Sequence, residues 1–182
     1  VVAFDRYIAL NWAVQLAEQG LLVGSQYTRP AGFDNLGLVA YAPSSDFPPI
    51  SLTSPAGGGS SVPRSVFEAI LAQESNWSQA SWHATEGVSG DPLIADYYGA
   101  AGGIGSINYA VADCGYGIAQ VTTGMRTGDT DYSVHGQIKI AVDYQENIAA
   151  GLQILESTWN QLYAAGIIAN NGDPNDLENW YY

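Results

Sequence analysis

Apolar residues recur at every fourth position near the start of the chain, at Phe4, Ile8, Trp12 and Leu16, with Gly20 immediately after. That spacing predicts an amphipathic helix over Val2 to Gln19, closed by a C-terminal glycine. From Tyr27 to Val62 the period dissolves into Pro, Gly and Ser, including Phe47-Pro48-Pro49 and Ser54-Pro55-Ala56-Gly57-Gly58-Gly59-Ser60-Ser61. This is linker composition, and it puts a domain boundary near Val62. A second helix is predicted to open at Ser65-Val66-Phe67-Glu68, a capping-box pattern, with Phe67, Ile70, Leu71 and Trp77 as its apolar stripe. Ala84 to Asp113 is Gly- and Tyr-rich without a clear period and reads as loops with a small irregular or β portion. A long helix is expected from about Tyr144 to Ala164. Asp143 and Glu146 lie near its start, Gly166 follows it, and Ile148, Leu152, Leu155, Trp159 and Leu162 form its apolar face. After Asn170-Asn171-Gly172, Asp173 followed by Pro174 has the pattern of one more helix start. The expected architecture is mainly α, with an N-terminal helix and linker at 1–62 and a helical domain with a small insertion at 63–182.

Composition narrows the chemistry. Of 182 residues, 18 are Asp or Glu and 5 are Lys or Arg, a formal net charge of −13. So acidic a chain repels phosphate backbones, which excludes nucleic acid as a partner. Nearly all of the excess falls after residue 62, where only Arg64, Arg126 and Lys139 are positive. Aromatic residues at 12% supply enough apolar surface for a core, which excludes a disordered chain. No apolar run approaches the roughly 20 residues of a membrane span. Cys114 is the only cysteine, which leaves no disulfide within the chain, and His83 and His135 are too far apart in sequence to suggest a metal site. Neither metal nor cofactor is expected.

One residue conflicts with its surroundings. At about 100° per residue, with Phe67 at zero, Ile70 falls near 300°, Leu71 near 40° and Glu74 near 340°. Glu74 is thus expected within the apolar stripe, where desolvation would raise its pKa and suit it to general-acid chemistry near neutral pH. Glu68 falls to one side, as a capping residue.

These residues carry a resemblance. The run Ala69-Ile70-Leu71-Ala72-Gln73-Glu74-Ser75-Asn76-Trp77 resembles the catalytic helix of soluble lytic transglycosylases and goose-type lysozymes, where a Glu-Ser pair ends a helix facing the sugar cleft. Gly115-Tyr116-Gly117-Ile118-Ala119-Gln120-Val121 is similar to the Gly-Leu-Met-Gln segment of that family. Asn147-Ile148-Ala149-Ala150-Gly151-Leu152 with Leu155 is similar to the helix that packs behind the site. The three segments stand in family order between about Pro63 and Tyr182.

The resemblance implies a lysozyme-like fold and cleavage of the β-1,4 bond between N-acetylmuramic acid and N-acetylglucosamine in peptidoglycan. Glu74 would be the general acid and then the base, and an oxocarbenium-like transition state would close to a 1,6-anhydro ring or be captured by water. It implies substrate contacts at Ser81, Tyr116 and Gln120. Asp113 is the first choice for a second carboxylate, with Glu86, Asp91 and Asp96 behind it. Trp82, Tyr98 and Tyr109 are further candidates for stacking on sugar faces, and His83 for a hydrogen bond. The implied partner is the glycan strand, and the implied location is extracellular or cell-wall associated. Two departures stand out: a longer Gly- and Tyr-rich insertion between Ser81 and Gly117, and no Tyr-Asn motif before Trp180-Tyr181-Tyr182, which implies a piece of a longer protein. A non-catalytic wall-glycan-binding or structural module is the alternative.

Overall fold

The computed structural model describes residues 2–55, 61–79, 110 and 114–181. These residues form five α-helices: α1 Val2–Glu18, α2 Pro43–Asp46, α3 Arg64–Ser75, α4 Val134–Val142 and α5 Tyr144–Ala164. Single 3-10 turns add Phe33–Asn35 and Leu177–Trp180. The described residues contain no sheet, only isolated antiparallel bridges of Arg29 with Tyr41 and Tyr116 with Val121. The fold is mainly helical, as the periodicity predicts. The insertion at Ala84–Asp113 lies outside the described residues apart from Ala110.

Helix α5 is the axis of the molecule. Its bounds match those read from sequence, and the Asp143 side chain caps it by accepting a hydrogen bond from the Gln145 N–H. Gln145 through Ala150 are buried without interruption, because α1, α2 and α4 all pack on this helix. Phe67 and Leu71 of α3 share one core with Ile148 and Leu152 of α5 and with Leu10, Ala13, Val14 and Ala17 of α1.

That sharing corrects the expected face of α1. Ile8 and Trp12, placed on the apolar stripe by their spacing, are 52% and 41% exposed. The buried face is the neighbouring one, where small Ala13 and Ala17 let α1 lie against α5. Trp12 instead meets the Tyr27 ring, with centroids 5.5 Å apart. The helix ends as predicted, with Leu21 N–H bonding to Leu16 O and Gly20 N–H to Ala17 O, a Schellman closure.

The stretch read as a linker is packed structure. Leu38, Tyr41, Phe47 and Leu52 are buried. Residues 48–53 run along α5 and are held by its side chains: Glu156 and Asn160 accept from the Ile50 and Thr53 N–H groups, while Gln153 and Trp159 donate to the Pro48 and Thr53 carbonyls. Prolines suit such a path, since they need no backbone partner for a missing N–H and favour extension. All three ion pairs among the described residues join this N-terminal region to the remainder: Arg29–Asp143, Glu18–Arg64 and Asp46–Lys139. Val62 is itself buried in the shared core, so no boundary in packing falls there.

Three local expectations also change. Helix α3 has Pro63 as its N-cap with no side-chain cap, so Ser65-Val66-Phe67-Glu68 is not a capping box. Glu68 instead accepts from Asn11 Nδ2 on α1 at 2.5 Å. Helix α4 has no clear signature in the sequence, because Gly136 and β-branched Val134, Ile138, Ile140 and Val142 mask the helical period, although Ser133 caps it through Gly136 N–H. After Asp173-Pro174 the chain makes a turn in which Asp173 accepts from Asn175 N–H, and then the 3-10 turn, rather than an α-helix. Trp180 closes that turn against Trp159, with ring centroids 4.5 Å apart.

Candidate functional site

Helix α3 stops abruptly just after the Glu-Ser pair. Asn76 and Trp77 both take left-handed backbone conformations, with φ of 48° and 57°. Asn tolerates that region better than most residues, which makes it a natural helix terminator. The Trp77 indole N–H returns to Glu68 O, and the Ser75 hydroxyl donates to Leu71 O. Glu74 is therefore held in the last turn.

Glu74 is exposed, which corrects its expected place within the buried stripe. The core face of α3 is centred on Phe67 and Leu71, with Arg64, Glu68 and Ser75 half-buried on one side. Ile70 and Glu74 form the opposite edge, four residues apart and so one above the other. Ile70 borders a groove of about 200 Å³, and Glu74, one turn farther along the helix, is not part of its lining. Phe67 and Ile70 line it from α3, Ala119 to Thr123 from the following loop, and Gly151, Ile154, Leu155 and Thr158 from α5. The three sequence segments that carry the resemblance thus converge on one groove.

The loop wall is a tight reversal. Tyr116 and Val121 exchange both backbone hydrogen bonds around Gly117-Ile118-Ala119-Gln120. Gly117 has φ of 74°, and a Cβ there would collide with the Asn147 amide, so no other residue fits. Asn147 lies behind the loop, accepting from Ala119 N–H at 2.8 Å and donating to Tyr116 O at 2.8 Å and Ile140 O at 3.0 Å. One turn along α5, Gly151 faces Ala119, and a Cβ there would lie 2.5 Å from the alanine methyl. Gly151 marks a second close approach of helix and loop.

Of the residues singled out from sequence, the groove lining includes Gln120. Its φ of 45° turns the chain, and its Nε2 donates back to Gly117 O, bracing the loop. Tyr116 is 42% exposed and belongs to the same reversal. Ser81, Trp82, His83, Glu86, Asp91, Asp96, Tyr98, Tyr109 and Asp113 lie outside the described residues. Thr122, Thr123, Ile154 and Thr158 line the groove without having been singled out by sequence reasoning. Thr158 was legible in principle, since it lies on α5 next to the apolar face at Leu155 and Trp159.

Beside Asn147 on α5 lies a buried carboxyl group, Glu146, facing the exposed Asp46. Glu146 has no solvent exposure, and neither carboxyl oxygen meets an N–H or O–H donor among the described residues. Burial, reinforced by the facing carboxyl group of Asp46, pushes its pKa up to about 9. Glu146 is then neutral at pH 7 and can hold a proton between itself and Asp46. Lys139 binds Asp46 at 2.5 Å and covers the Tyr41 ring at 4.6 Å. Arg29 grips Asp143 at 2.5 and 2.9 Å, and the Tyr41 hydroxyl donates to the same carboxylate. Farther along α5, burial raises Glu156 to about 7, opposed by the Ile50 N–H.

No family model, characterised protein or solved structure matches this chain. No described helix is long and apolar enough to cross a membrane.

Proposed function

We propose that this chain carries a peptidoglycan-cleaving glycosidase site of lysozyme-like type, with Glu74 as its acid and base. One observation carries the reading. Ile70 from the run that holds Glu74, Ala119 to Val121 from the Gly115–Val121 segment, and Gly151 and Leu155 from the Asn147–Leu155 segment line a single groove, and Glu74 follows Ile70 by one turn on the same helix edge. The glycan strand would lie along that groove, its apolar sugar faces on Ile70, Ile154 and Leu155 and its hydroxyl and acetamido groups toward Thr122, Thr123, Thr158 and Gln120.

In the reaction, the Glu74 carboxyl gives its proton to the glycosidic oxygen as the C1–O bond breaks, leaving an oxocarbenium-like sugar and a free hydroxyl on the departing residue. The Glu74 carboxylate then takes a proton from the attacking group. Attack by the muramyl 6-hydroxyl gives a 1,6-anhydro end, and attack by water gives a reducing end. Ser81 and Asp113 remain part of this proposal as a substrate contact and a second carboxylate. A wall substrate places the protein outside the cell or at the wall.

The exposure of Glu74 favours a second reading, because it lacks among the described residues the burial that a general acid draws on. In that reading the groove binds wall glycan without cleaving it. Mass spectrometry of soluble products from purified peptidoglycan separates the two. Muropeptide release that disappears in Glu74→Gln supports the glycosidase; release that persists in Glu74→Gln refutes the assignment to Glu74. Wall binding without any release establishes the binding module.

A further inference from the structure

The loop wall of the groove is held by side-chain amides, in a place where a sheet would ordinarily supply backbone partners. Two of its consecutive N–H groups, those of Ile118 and Ala119, are taken by two different amide oxygens. Ala119 N–H goes to Asn147 Oδ1 at 2.8 Å, and Ile118 N–H goes to Gln79 Oε1 at 3.1 Å. The two amide nitrogens converge on the C-terminal turn of α4. Asn147 Nδ2 donates to Ile140 O, and Gln79 Nε2 donates to Ala141 O at 2.9 Å, with Ile140 O at 3.5 Å. The last carbonyls of a helix have no partner within it, so α4 offers these acceptors to any donor that reaches them.

The two amides differ in where they come from. Asn147 belongs to α5, the rigid axis. Gln79 lies on the segment leaving α3, five residues after Glu74 and just past the left-handed Asn76-Trp77 stop. Gln79 ties the segment leaving the Glu74 end of α3 by hydrogen bonds to the loop carrying Gln120. A side-chain amide suits the task, because it accepts from one backbone N–H and donates to a carbonyl on the opposite side.

We infer that Gln79 is a positioning residue for the groove, fixing the Gly117–Gln120 loop relative to Glu74 through its two-sided bond to Ile118 N–H and Ala141 O. This rests on the glycosidase reading for its functional consequence but not for its structural one. Gln79 touches no reacting atom, and its described partners are all backbone groups. Without it, Ile118 N–H loses its acceptor while Ala119 N–H keeps Asn147. The loop is then held by Asn147 alone, at Ala119 N–H and Tyr116 O, and is free to shift away from the helix end at Ile118.

Two substitutions in the full chain test this. Gln79→Ala removes both bonds. Gln79→Glu keeps the shape and can still accept from Ile118 N–H, but as a carboxylate it cannot donate to Ala141 O and places charge against two carbonyls. Once protonated it donates again, so its defect should vanish as pH falls through the carboxyl range, whereas that of Gln79→Ala should not. Native-state hydrogen exchange should show protection of Ile118 N–H reduced about tenfold in Gln79→Ala, the size of one ordinary hydrogen bond, with Ala119 N–H nearly unchanged. Muropeptide release should lose roughly 10- to 100-fold in kcat at unchanged KM, because misplacement of about an ångström is felt in the reaction step. Relative to the unsubstituted protein at each pH, Gln79→Glu should recover both protection and kcat on acidification. Equal loss of protection at Ile118 and Ala119, or no recovery of Gln79→Glu at acid pH, would overturn the clamp. Failure of the unsubstituted protein to release muropeptides refutes the glycosidase reading instead, and exchange with its pH dependence still decides the clamp.

Discussion

Replacing Glu146 by Gln should make the protein more stable at neutral pH, although it alters a fully buried side chain. In the folded chain the carboxyl is held at about 9, first by burial and then by Asp46, while an unfolded chain returns it to 4.5. Between those values the folded state keeps a proton that the unfolded state releases, so stability falls as pH rises and is flat below the lower value. The slope is about 1.4 kcal/mol per pH unit, which from the lower value to pH 7 amounts to about 3 kcal/mol. The replacing amide has nearly the same volume as the carboxyl group, carries no titratable proton and presents an N–H to the Asp46 carboxylate. Lys139 from α4, Asp143 and Tyr41 also face this site, and the exchange leaves them all in place. The substitution should therefore be neutral near pH 4 and stabilising by about 3 kcal/mol at pH 7, a rise of roughly 6–12 °C in Tm for a chain of this length. The gap should widen further toward pH 9. Thermal melts by circular dichroism at pH 4.5, 7 and 8.5 would read it. Equal melting temperatures at pH 8.5, or a difference that does not grow with pH, would show that Glu146 is not held neutral in this pocket.

Four other outcomes follow from the same geometry. In the Glu146→Gln background, the remaining loss of stability with rising pH should level off near pH 7, where Glu156, raised to about 7 from 4.5, completes its titration; a decline that continues steeply to pH 9 would contradict this. Asp143→Ala should cost about 3–5 kcal/mol in urea unfolding, because it leaves the Arg29 guanidinium without its carboxylate and removes the cap of α5, and a loss below about 1 kcal/mol would show that the pair contributes little. Gly151→Ala should destabilise by about 1–3 kcal/mol by pushing its methyl into Ala119, with increased exchange at Ala119 N–H; unchanged stability would mean that the helix and loop have slack. If the groove cleaves peptidoglycan as proposed, muropeptide release should rise as salt is added toward ~0.15 M, since screening relaxes repulsion between a chain of net charge −13 and an anionic wall, and a steep fall would reverse that inference.

What can be read from sequence depends on whether an element declares itself locally. Helix α5 does, with its Asp cap, its apolar face and its following glycine, and its bounds agree with the structure. Helix α1 declares its existence but not its face, because a spacing of four selects large residues while the contact with α5 selects Ala13 and Ala17. Residues 48–53 mislead for a stronger reason: their backbone partners are Glu156, Asn160, Gln153 and Trp159, about a hundred residues distant, and no local pattern announces them. The angular argument puts Glu74 within the apolar stripe, but an angle cannot tell that the core face narrows to Phe67 and Leu71 and leaves Glu74 exposed in the last turn. Gln79 leaves no signal, since a single amide on an irregular segment reveals its role only through what it touches.

The charge pattern acquires its meaning from the packing. Arg29, Arg64 and Lys139 each bind a carboxylate across the seam between the N-terminal region and the rest, while Arg126 is exposed and joins none of the three ion pairs. The N-terminal region supplies a cation in one pair and an anion in the other two, so neither side could be recharged wholesale without losing a contact. These pairs are partly buried, where they are screened less than surface charges and where removing one partner costs more than the pair itself contributes. With so few cations in the chain, placing these three at the seam leaves little positive charge for the surface. The acidity of this protein is thus tied to how it is held together: three of the five positive charges that could draw it to an anionic glycan are engaged in fastening the N-terminal region to α3, α4 and α5. If the groove acts on peptidoglycan, contact must come from the glycan itself, through the apolar and hydroxyl-bearing wall formed by Ile70, Thr122, Ile154 and Thr158, and not from long-range attraction.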